Sequence, residues 1–172
     1  IVRAGFGLEC VSAGELRRAK EVAEGHTPLL FTPNMAPLDE YALAFDAGAE
    51  VTVDGPHTLQ AAPELFRGTT LALRLDPGRG LGHHEKVRTA GAHAKFGQPI
   101  EAIDEFCVAA EALNIRVIGL HAHVGSGIFD ASAWAQIGGA LASLRERFEH
   151  LRWIDLGGGL GVQKIDNEST AR

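Results

Sequence analysis

A β-strand that runs directly into a glycine turn is encoded in Arg116-Val117-Ile118-Gly119-Leu120-His121-Ala122-His123-Val124-Gly125-Ser126-Gly127. Side chains alternate between the two faces of a strand, so His121 and His123 share one face and the other face is apolar. Similar short β-type runs occur along the rest of the chain. The sequence predicts six strands, at residues 8–12, 29–32, 50–54, 70–76, 116–123 and 152–156.

Helix-type segments lie between these strands. The clearest is 131–149, where apolar residues recur at three- and four-residue steps, namely Trp134, Ile137, Leu141, Leu144 and Phe148. A second segment, 99–113, begins with a proline and carries one apolar stripe. The stripe consists of Ile100, Ile103, Phe106, Cys107 and Ala110. Alternating strands and helices predict an α/β fold with parallel strands, either a doubly wound sheet or a βα barrel.

The length of the chain, 172 residues, predicts a single domain over residues 1–172. A complete (β/α)8 barrel of the TIM type needs about 250 residues, at roughly 30 per βα unit. If the fold is a barrel, it is therefore a partial one with about six of eight strands. Ile1–Ala4 followed by Gly5 predicts the end of a helix with a left-handed cap, which implies an upstream strand. Further chain is expected after the polar stretch 164–172.

Composition excludes several classes of protein. The formal net charge is -6 and the basic residues are scattered, which argues against nucleic-acid binding. No apolar run is long enough to span a membrane, and no signal segment opens the chain. Cys10 and Cys107 are predicted to be reduced core thiols, so a cytoplasmic location is expected.

Polar residues lie at or just beyond the predicted strand ends. In a βα barrel these ends meet at the mouth where active sites are built, although chain turns are also polar for structural reasons alone. The residues concerned are Ser12, Asn34, Asp54, Arg74, Asp76, His121, His123 and Asp155. The longest predicted connection, 77–98, carries three histidines and is expected to be functional.

The histidine pair and the glycine turns allow more than one interpretation. His121 and His123 have the spacing of a metal-binding pair, and also of a ring that stacks on a flat cofactor, and either could be structural. The turns 125–127 and 157–161 are candidate phosphate cradles, or simply tight turns. Val162 stands where a dinucleotide-binding fingerprint would require glycine.

Five motifs together resemble the fold-type III pyridoxal-phosphate-dependent decarboxylases, a family that includes diaminopimelate, ornithine and arginine decarboxylases. They occur in family order and at family spacing across essentially the whole chain. The motifs are Gly7-Leu8-Glu9-Cys10-Val11-Ser12-Ala13-Gly14-Glu15, Leu73-Arg74-Leu75-Asp76, Ala94-Lys95-Phe96-Gly97, His121-Ala122-His123-Val124-Gly125-Ser126-Gly127 and Ile154-Asp155-Leu156-Gly157-Gly158-Gly159. The resemblance implies an alanine racemase-like barrel and pyridoxal 5'-phosphate as cofactor.

The resemblance also implies roles for individual residues. His123 would stack on the pyridine ring, and Arg74 would lie on the ring side of the site, which makes both candidates for catalysis. The phosphate would be held by Ser126, Gly157, Gly158 and Gly159. Glu9, at a position where the family usually has aspartate, would lie near the cofactor. Lys95 matches a family lysine on the dimer-facing side of the site and not the lysine that bonds the cofactor.

The implied activity is decarboxylation of an amino acid substrate by a homodimeric enzyme. The sequence of residues 82–91 and the histidine pair before Gly125 resemble those of diaminopimelate decarboxylases more than those of ornithine decarboxylases. The resemblance therefore predicts conversion of meso-diaminopimelate to L-lysine. An ornithine or arginine substrate is the alternative, and an aspartate kinase fused upstream is a further option. The cofactor-bonding lysine and the C-terminal β-domain of the family are not matched in the chain, so the isolated chain is expected to be inactive.

Two other functions remain as alternatives. A metal-dependent barrel hydrolase could use His121 and His123 as ligands, but it would need further ligands at other strand ends, and no metal site is predicted. The second alternative is a non-catalytic homologue of the decarboxylases that binds a regulatory partner.

Overall fold

In the computed structural model, residues 1–23, 26–78 and 96–161 are described, and their strands form one parallel sheet. The strands are β1 (Leu8–Cys10), β2 (Leu29–Phe31), β3 (Glu50–Val53), β4 (Thr70–Asp76), β5 (Gln98–Pro99), β6 (Arg116–His121) and β7 (Trp153–Asp155). Their order is β1-β2-β3-β4-β6-β7, and the short β5 pairs with the end of β4. All strand pairs are parallel.

Helices connect the strands on the outer face of the sheet. The α-helices are α1 (Ala13–Val22), α2 (Leu38–Asp46), α3 (Pro56–Ala61), α4 (Pro63–Phe66), α5 (Ile103–Ala112) and α6 (Ser132–Ala142). Short 3-10 turns occur at Val2–Ala4, Ile100–Ala102 and Arg145–Arg147.

All six predicted strands are present, each with ends within two residues of the prediction, and β4 has the predicted bounds. The predicted helix at 131–149 is too long, because α6 ends at Ala142 and a separate 3-10 turn follows. The segment predicted from Pro99 begins as a 3-10 turn before α5. The chain start is also a 3-10 turn, and Gly5 has the predicted left-handed conformation, with φ 83°. Strand β5 was not predicted, because two residues carry no periodic signal.

The sheet curls into a partial barrel and does not form a doubly wound sheet. In a doubly wound sheet the strand order reverses at a switch point, whereas here it proceeds in one direction. Side chains also meet across the concave face: Glu50 of β3 accepts a hydrogen bond from Trp153 Nε1 of β7 at 2.6 Å. Because β4 and β6 lie between these two strands, only a strongly curved sheet allows this contact. The partial barrel of the sequence prediction is confirmed.

The apolar core lies between the convex face of the sheet and the helices. The sheet contributes Phe31, Val51, Val53, Leu71, Leu73, Leu75 and Leu120, and the helices contribute Leu16, Tyr41, Phe66, Phe106 and Leu141, all at most 1% exposed. Tyr41 packs edge-on against both Phe31 and Phe66. The concave face, by contrast, carries the polar members of the same strands. Polar side chains therefore line the inside of the curve.

The part of the chain that the structure describes contains no helix with the length and apolar character needed to cross a bilayer.

Candidate active site

A cleft of about 430 Å³ opens where the carboxyl ends of the strands converge. Three strands, helix α1 and the loops at the strand ends line it, with the residues Glu9, Val11, Glu15, Thr32, Asn34, Arg74, Phe96, His121, His123, Gly157 and Gly158. The predicted site residues Glu9, Arg74, His123, Gly157 and Gly158 therefore come together in this one cleft. Ser126 and Gly159 lie beside each other on the adjoining turns.

A larger cleft of about 630 Å³ lies at the opposite ends of the strands. It is lined by residues at the starts of β1, β2, β3 and β7, including Glu50 and Trp153. In βα barrels that end of the sheet serves stability, whereas chemistry takes place at the carboxyl ends. The smaller cleft is therefore the candidate active site.

Some of the polar strand-end residues have structural roles. The Ser12 hydroxyl accepts a hydrogen bond from the Glu15 N–H and caps helix α1. Asp76 accepts a hydrogen bond from the Gly78 N–H. Asp54 is only 4% exposed and accepts the Met35 N–H at 3.1 Å. Burial raises the pKa of the Asp54 carboxyl, which fits a role inside the protein and not at the mouth of the site.

Arg74 is held in one position by partners on either side. Its side chain is 5% exposed, and Nη1 donates a hydrogen bond to Oδ1 of Asn34. The guanidinium also lies over the Phe96 ring, 5.2 Å from the centroid, in a cation–π contact. Burial lowers the pKa of Arg74, and the carboxylates of Asp54, Glu9, Asp155 and Asp76 oppose that shift. Arg74 is therefore the central positive charge among several acidic residues.

Glu9 reaches the cleft from β1. Its Oε1 accepts a hydrogen bond from the Thr32 hydroxyl of the neighbouring strand at 2.6 Å. This contact orients a carboxylate that would otherwise be free to rotate. Glu9 is exposed to solvent, so a ligand in the cleft can reach it.

His121 is an uncharged imidazole at neutral pH. It is 3% exposed, and burial, followed by the charge of Arg74, lowers its pKa to about 4. Its Nε2 lies 3.9 Å from Oδ2 of Asp155, and its buried Nδ1 has no hydrogen-bond partner within the described residues. The ring thus lies deeper in the barrel than His123, with its polar edge toward β7.

Glu9, His121 and Asp155 form a cluster whose potential ligand atoms all lie within 4.8 Å of one another. The sequence analysis paired His121 with His123 as possible metal ligands, but the structure groups it with two carboxylates from other strands. Arg74 is close enough to the histidines to lower the pKa of both. A positive charge at that position repels a cation and attracts carboxylates, so the cluster is better described as a charge network around Arg74.

His123 lies on the same face of the chain as His121 but nearer the opening, and it is half-buried. Its pKa is lowered by burial and then by Arg74. The ring rests against Gly157, where a Cβ atom would be only 2.6 Å from the His123 Nδ1. Gly157 also has φ +67°, a conformation that glycine adopts without strain. Glycine at this position therefore leaves the room that the His123 imidazole occupies.

The two glycine turns pack together as one surface. A Cβ on Gly159 would lie 1.9 Å from the Gly125 carbonyl oxygen, so no other residue fits between the turns. A parallel bridge between Ile128 and Leu160 continues the pairing, with the Ile128 N–H donating to the Gly159 carbonyl at 2.9 Å. Within the described residues, the N–H groups of Gly158 and Gly159 donate no hydrogen bond. Such N–H groups at a glycine turn are typical anion-binding donors.

These observations fit the cofactor that the resemblance implies. A phosphate requires unpaired N–H donors at a turn without side chains, and Gly158 and Gly159 supply them. A flat ring requires an aromatic face beside it, and the His123 imidazole lies against the same turn. A pyridine ring requires charged neighbours, and Arg74 and Glu9 line the cleft. The residues present therefore suit pyridoxal phosphate.

Comparison with known proteins defines the class. The sequence matches the pyridoxal binding domain of the pyridoxal-dependent decarboxylases over residues 1–172. The chain belongs to this family, and its cofactor is pyridoxal phosphate.

The similar proteins reported next are diaminopimelate decarboxylases. It is 33% identical over 170 residues to the diaminopimelate decarboxylase of Methanothermobacter thermautotrophicus, covering 95% of the chain and 40% of that protein. It is 31% identical over 156 residues to the diaminopimelate decarboxylase of Deinococcus radiodurans, covering 91% and 40%. The chain thus spans about 40% of the length of these relatives.

Solved structures give the same result. A crystal structure of a diaminopimelate decarboxylase superposes with a TM-score of 0.81 at 26% identity, covering 96% of this chain and 41% of that one. The diaminopimelate decarboxylase of M. jannaschii gives a TM-score of 0.75 at 27% identity, covering 96% and 41%. Both the predicted fold and the predicted family are confirmed.

Several site residues had no assigned role in the sequence analysis. Thr32 was not singled out, Phe96 was only part of the motif at 94–97, and Asn34 was noted only as a polar strand end. Their contacts with Glu9 and Arg74 join distant parts of the chain, so no local sequence pattern predicts these contacts. Lys95, the loop 82–91, Val162 and the stretch 164–172 lie outside the described residues.

Proposed function

We propose that the intact protein of which this chain is part is a pyridoxal-phosphate-dependent carboxy-lyase that converts meso-diaminopimelate to L-lysine. The observation that carries this proposal is the joint arrangement of His123 against Gly157 beside unpaired glycine N–H donors. The two curated relatives described above bear the name diaminopimelate decarboxylase, which favours this substrate over ornithine or arginine.

The chain's own residues would have distinct roles. His123 would stack on the pyridine ring, and the N–H groups of Gly158 and Gly159, with Ser126, would bind the phosphate. When bound, the cofactor supplies an electron sink for the charge left by the departing carboxylate. Glu9 and Arg74 would set the electrostatic environment of the ring side. Gly157 would contribute by leaving room for His123.

Residues outside 1–172 would complete the site. We propose, from the family resemblance, that the lysine that bonds the cofactor lies in a strand before this region and that a β-domain follows it. We further propose that the intact protein is a cytoplasmic homodimer with an amino acid as substrate and no membrane or nucleic-acid partner. The reducing conditions of the cytoplasm suit the free thiols of Cys10 and Cys107.

The test uses the intact protein, with released carbon dioxide measured for meso-diaminopimelate, L-ornithine and L-arginine in parallel. We expect turnover with meso-diaminopimelate and little with the other two. His123→Ala should weaken cofactor retention and slow turnover by up to about tenfold, as expected for loss of a stacking contact worth ~0.5–1.5 kcal/mol. The matched control is His150→Ala, which changes an exposed imidazole away from the cleft.

Three results would contradict the proposal. Unchanged kinetics and unchanged cofactor affinity in His123→Ala would rule out the stacking role. Purified protein with stoichiometric zinc, and no change in absorbance on addition of pyridoxal phosphate, would instead support the metal-dependent hydrolase, with Glu9, His121 and Asp155 as ligands. Cofactor binding without turnover of any amino acid would favour the non-catalytic homologue.

A further inference from the structure

Asp155 ends strand β7 two residues before the first glycine of the turn, yet the family resemblance assigns it no role. One oxygen of its carboxylate, Oδ1, accepts a hydrogen bond from the Gly157 N–H at 2.8 Å. This contact closes a tight turn between the side chain and the backbone two residues ahead. Asp155 is therefore bonded to the turn that is proposed to receive the phosphate.

The hydrogen bond changes which N–H groups can serve a ligand. The Gly157 N–H is already used by Asp155, so it is not available to an anion. The N–H groups of Gly158 and Gly159 are the next two along the turn, and no described hydrogen bond uses them. Asp155 thus fixes the start of the turn and leaves the following donors free.

The second oxygen of the carboxylate faces the interior of the barrel. Oδ2 lies 3.9 Å from Nε2 of His121 on β6, and the charge of Asp155 acts on Arg74. An aspartate this close to a phosphate would normally repel it. Here the negative charge is offset by the guanidinium of Arg74, and one oxygen is occupied by the Gly157 N–H, so the repulsion is reduced.

The same strand pair also determines where His123 lies. The Ala122 N–H donates to the Asp155 carbonyl oxygen at 3.0 Å, so the backbone next to His123 is bonded to Asp155. Gly157, whose N–H the Asp155 side chain holds, is the residue against which the His123 ring rests. A single residue thus connects the proposed ring-stacking side chain to the proposed phosphate turn.

We propose that Asp155 is a positioning residue for the phosphate of the cofactor. Its carboxylate holds the Gly157 N–H, so that the donors of Gly158 and Gly159 point at the phosphate while His123 faces the ring. This inference rests on the proposed function, because it takes the phosphate to lie at this turn.

The test compares two ligands that differ only in the phosphate, pyridoxal phosphate and pyridoxal, bound to the intact protein after removal of its cofactor. Asp155→Ala should reduce the affinity for pyridoxal phosphate about tenfold, the equivalent of one charge-assisted hydrogen bond. Affinity for pyridoxal should fall by less than about threefold, since the ring contacts remain. The ratio of the two dissociation constants is the decisive measurement, because a general loss of structure would weaken both ligands alike.

Two further variants separate the hydrogen bond from other effects. Asp155→Asn keeps an oxygen that can accept the Gly157 N–H and should retain the preference for the phosphorylated ligand. Asp155→Leu has a similar shape without an acceptor and should lose that preference. If Asp155→Ala does not fold, this pair decides the question.

The matched control is Asp130→Ala. Asp130 makes the same kind of contact, accepting the Ser132 N–H at 2.9 Å, but at an exposed position outside the cleft lining. We expect this variant to leave the ratio unchanged. A ratio that is also unchanged in Asp155→Ala and Asp155→Leu would overturn the inference. Failure of the unaltered protein to bind pyridoxal phosphate would instead overturn the proposed function.

Discussion

His121 shows how the interior of the barrel acts on a single side chain. The imidazole is buried beside Arg74, so its protonated form loses water and meets another positive charge. Both effects favour the neutral ring, which explains a pKa of about 4 compared with 6.5 for an exposed histidine. The carboxylate of Glu9 opposes this lowering of the pKa only in part.

The buried His121 should make stability depend on pH. Its pKa is lower in the folded protein than in the unfolded chain, so the unfolded chain takes up the proton first as the pH falls. Stability is therefore lost between pH 6.5 and 4. We expect the step from pH 7 to pH 5 to cost about 2 kcal/mol through this group. Urea unfolding of the intact protein at both pH values measures it.

His121→Asn removes this titration and should be less sensitive to the change in pH than the unaltered protein by that amount. His150→Ala, at an exposed site, should retain the full dependence. Equal pH dependence in His121→Asn and the unaltered protein would mean that the buried imidazole does not titrate as described.

At the scale of elements, strand β6 is adapted to its neighbour β7 by one glycine. A Cβ on Gly119 would lie 2.3 Å from Cζ2 of Trp153, so the indole occupies the space that any side chain would need. The indole N–H donates to Glu50, which also accepts from Arg152 at 2.9 Å. Gly119 thus allows Trp153 to join β7 to β3 across the concave face.

Gly119→Ala should displace the indole and destabilise the intact protein by about 1–3 kcal/mol, as overpacking of a filled interior does. Thermal unfolding and the tryptophan emission maximum report both effects. Gly139→Ala is the matched control, because nothing lies within 4 Å of its Cβ and it is inside helix α6. That change should be neutral or stabilising by up to about 1 kcal/mol. Equal unfolding midpoints for the two variants would contradict the packing argument.

Helix α1 follows the strand that carries Glu9, and two side-chain hydrogen bonds stabilise its N-terminus. Ser12 accepts the Glu15 N–H at 3.3 Å, while the Glu15 carboxylate accepts the Val11 N–H at 2.7 Å. This reciprocal pattern resembles a capping box and fixes the start of the helix.

Ser12→Ala should lower the free energy of unfolding by about 1 kcal/mol through loss of the cap. The measurement is urea unfolding of the intact protein. Ser143→Ala serves as the control, because that exposed hydroxyl bonds only to the Ala140 carbonyl at the end of α6. If both variants lose the same stability, Ser12 has no special capping role.

At the scale of the whole molecule, the curved sheet has two outer strands, β1 and β7. Their outer edges carry backbone N–H and C=O groups that another strand can bind. The 172-residue polypeptide by itself should therefore associate or aggregate, in contrast to the defined dimer proposed above for the intact protein. Size-exclusion chromatography with light scattering distinguishes these states. A monomeric polypeptide that unfolds cooperatively would contradict the prediction.

The amino-acid sequence by itself predicted six of the seven described strands and a parallel α/β class, while the family resemblance favoured the barrel and supplied the proposed roles of the site residues. Strands 29–32 and 70–76 are short runs rich in apolar residues, and the glycines in 125–127 and 157–159 mark the turns after strands 116–123 and 152–156. These signals depend only on residues that are close in the sequence, so the sequence alone reveals them. The helix predicted at 131–149 is longer than the observed helix α6. The apolar spacing continues past Ala142, but the chain there forms a 3-10 turn.

Only the tertiary structure decided which side chains share an environment. Asn34 and Phe96 fix Arg74 from separate segments, and Asp155 lies near His121 only because β6 and β7 are neighbours. The physical reason is that hydrogen bonds, cation–π contacts and pKa shifts depend on distance in space, which the curvature of the sheet sets. The sequence therefore indicated a cofactor site, and the fold determined the charges and contacts that surround it.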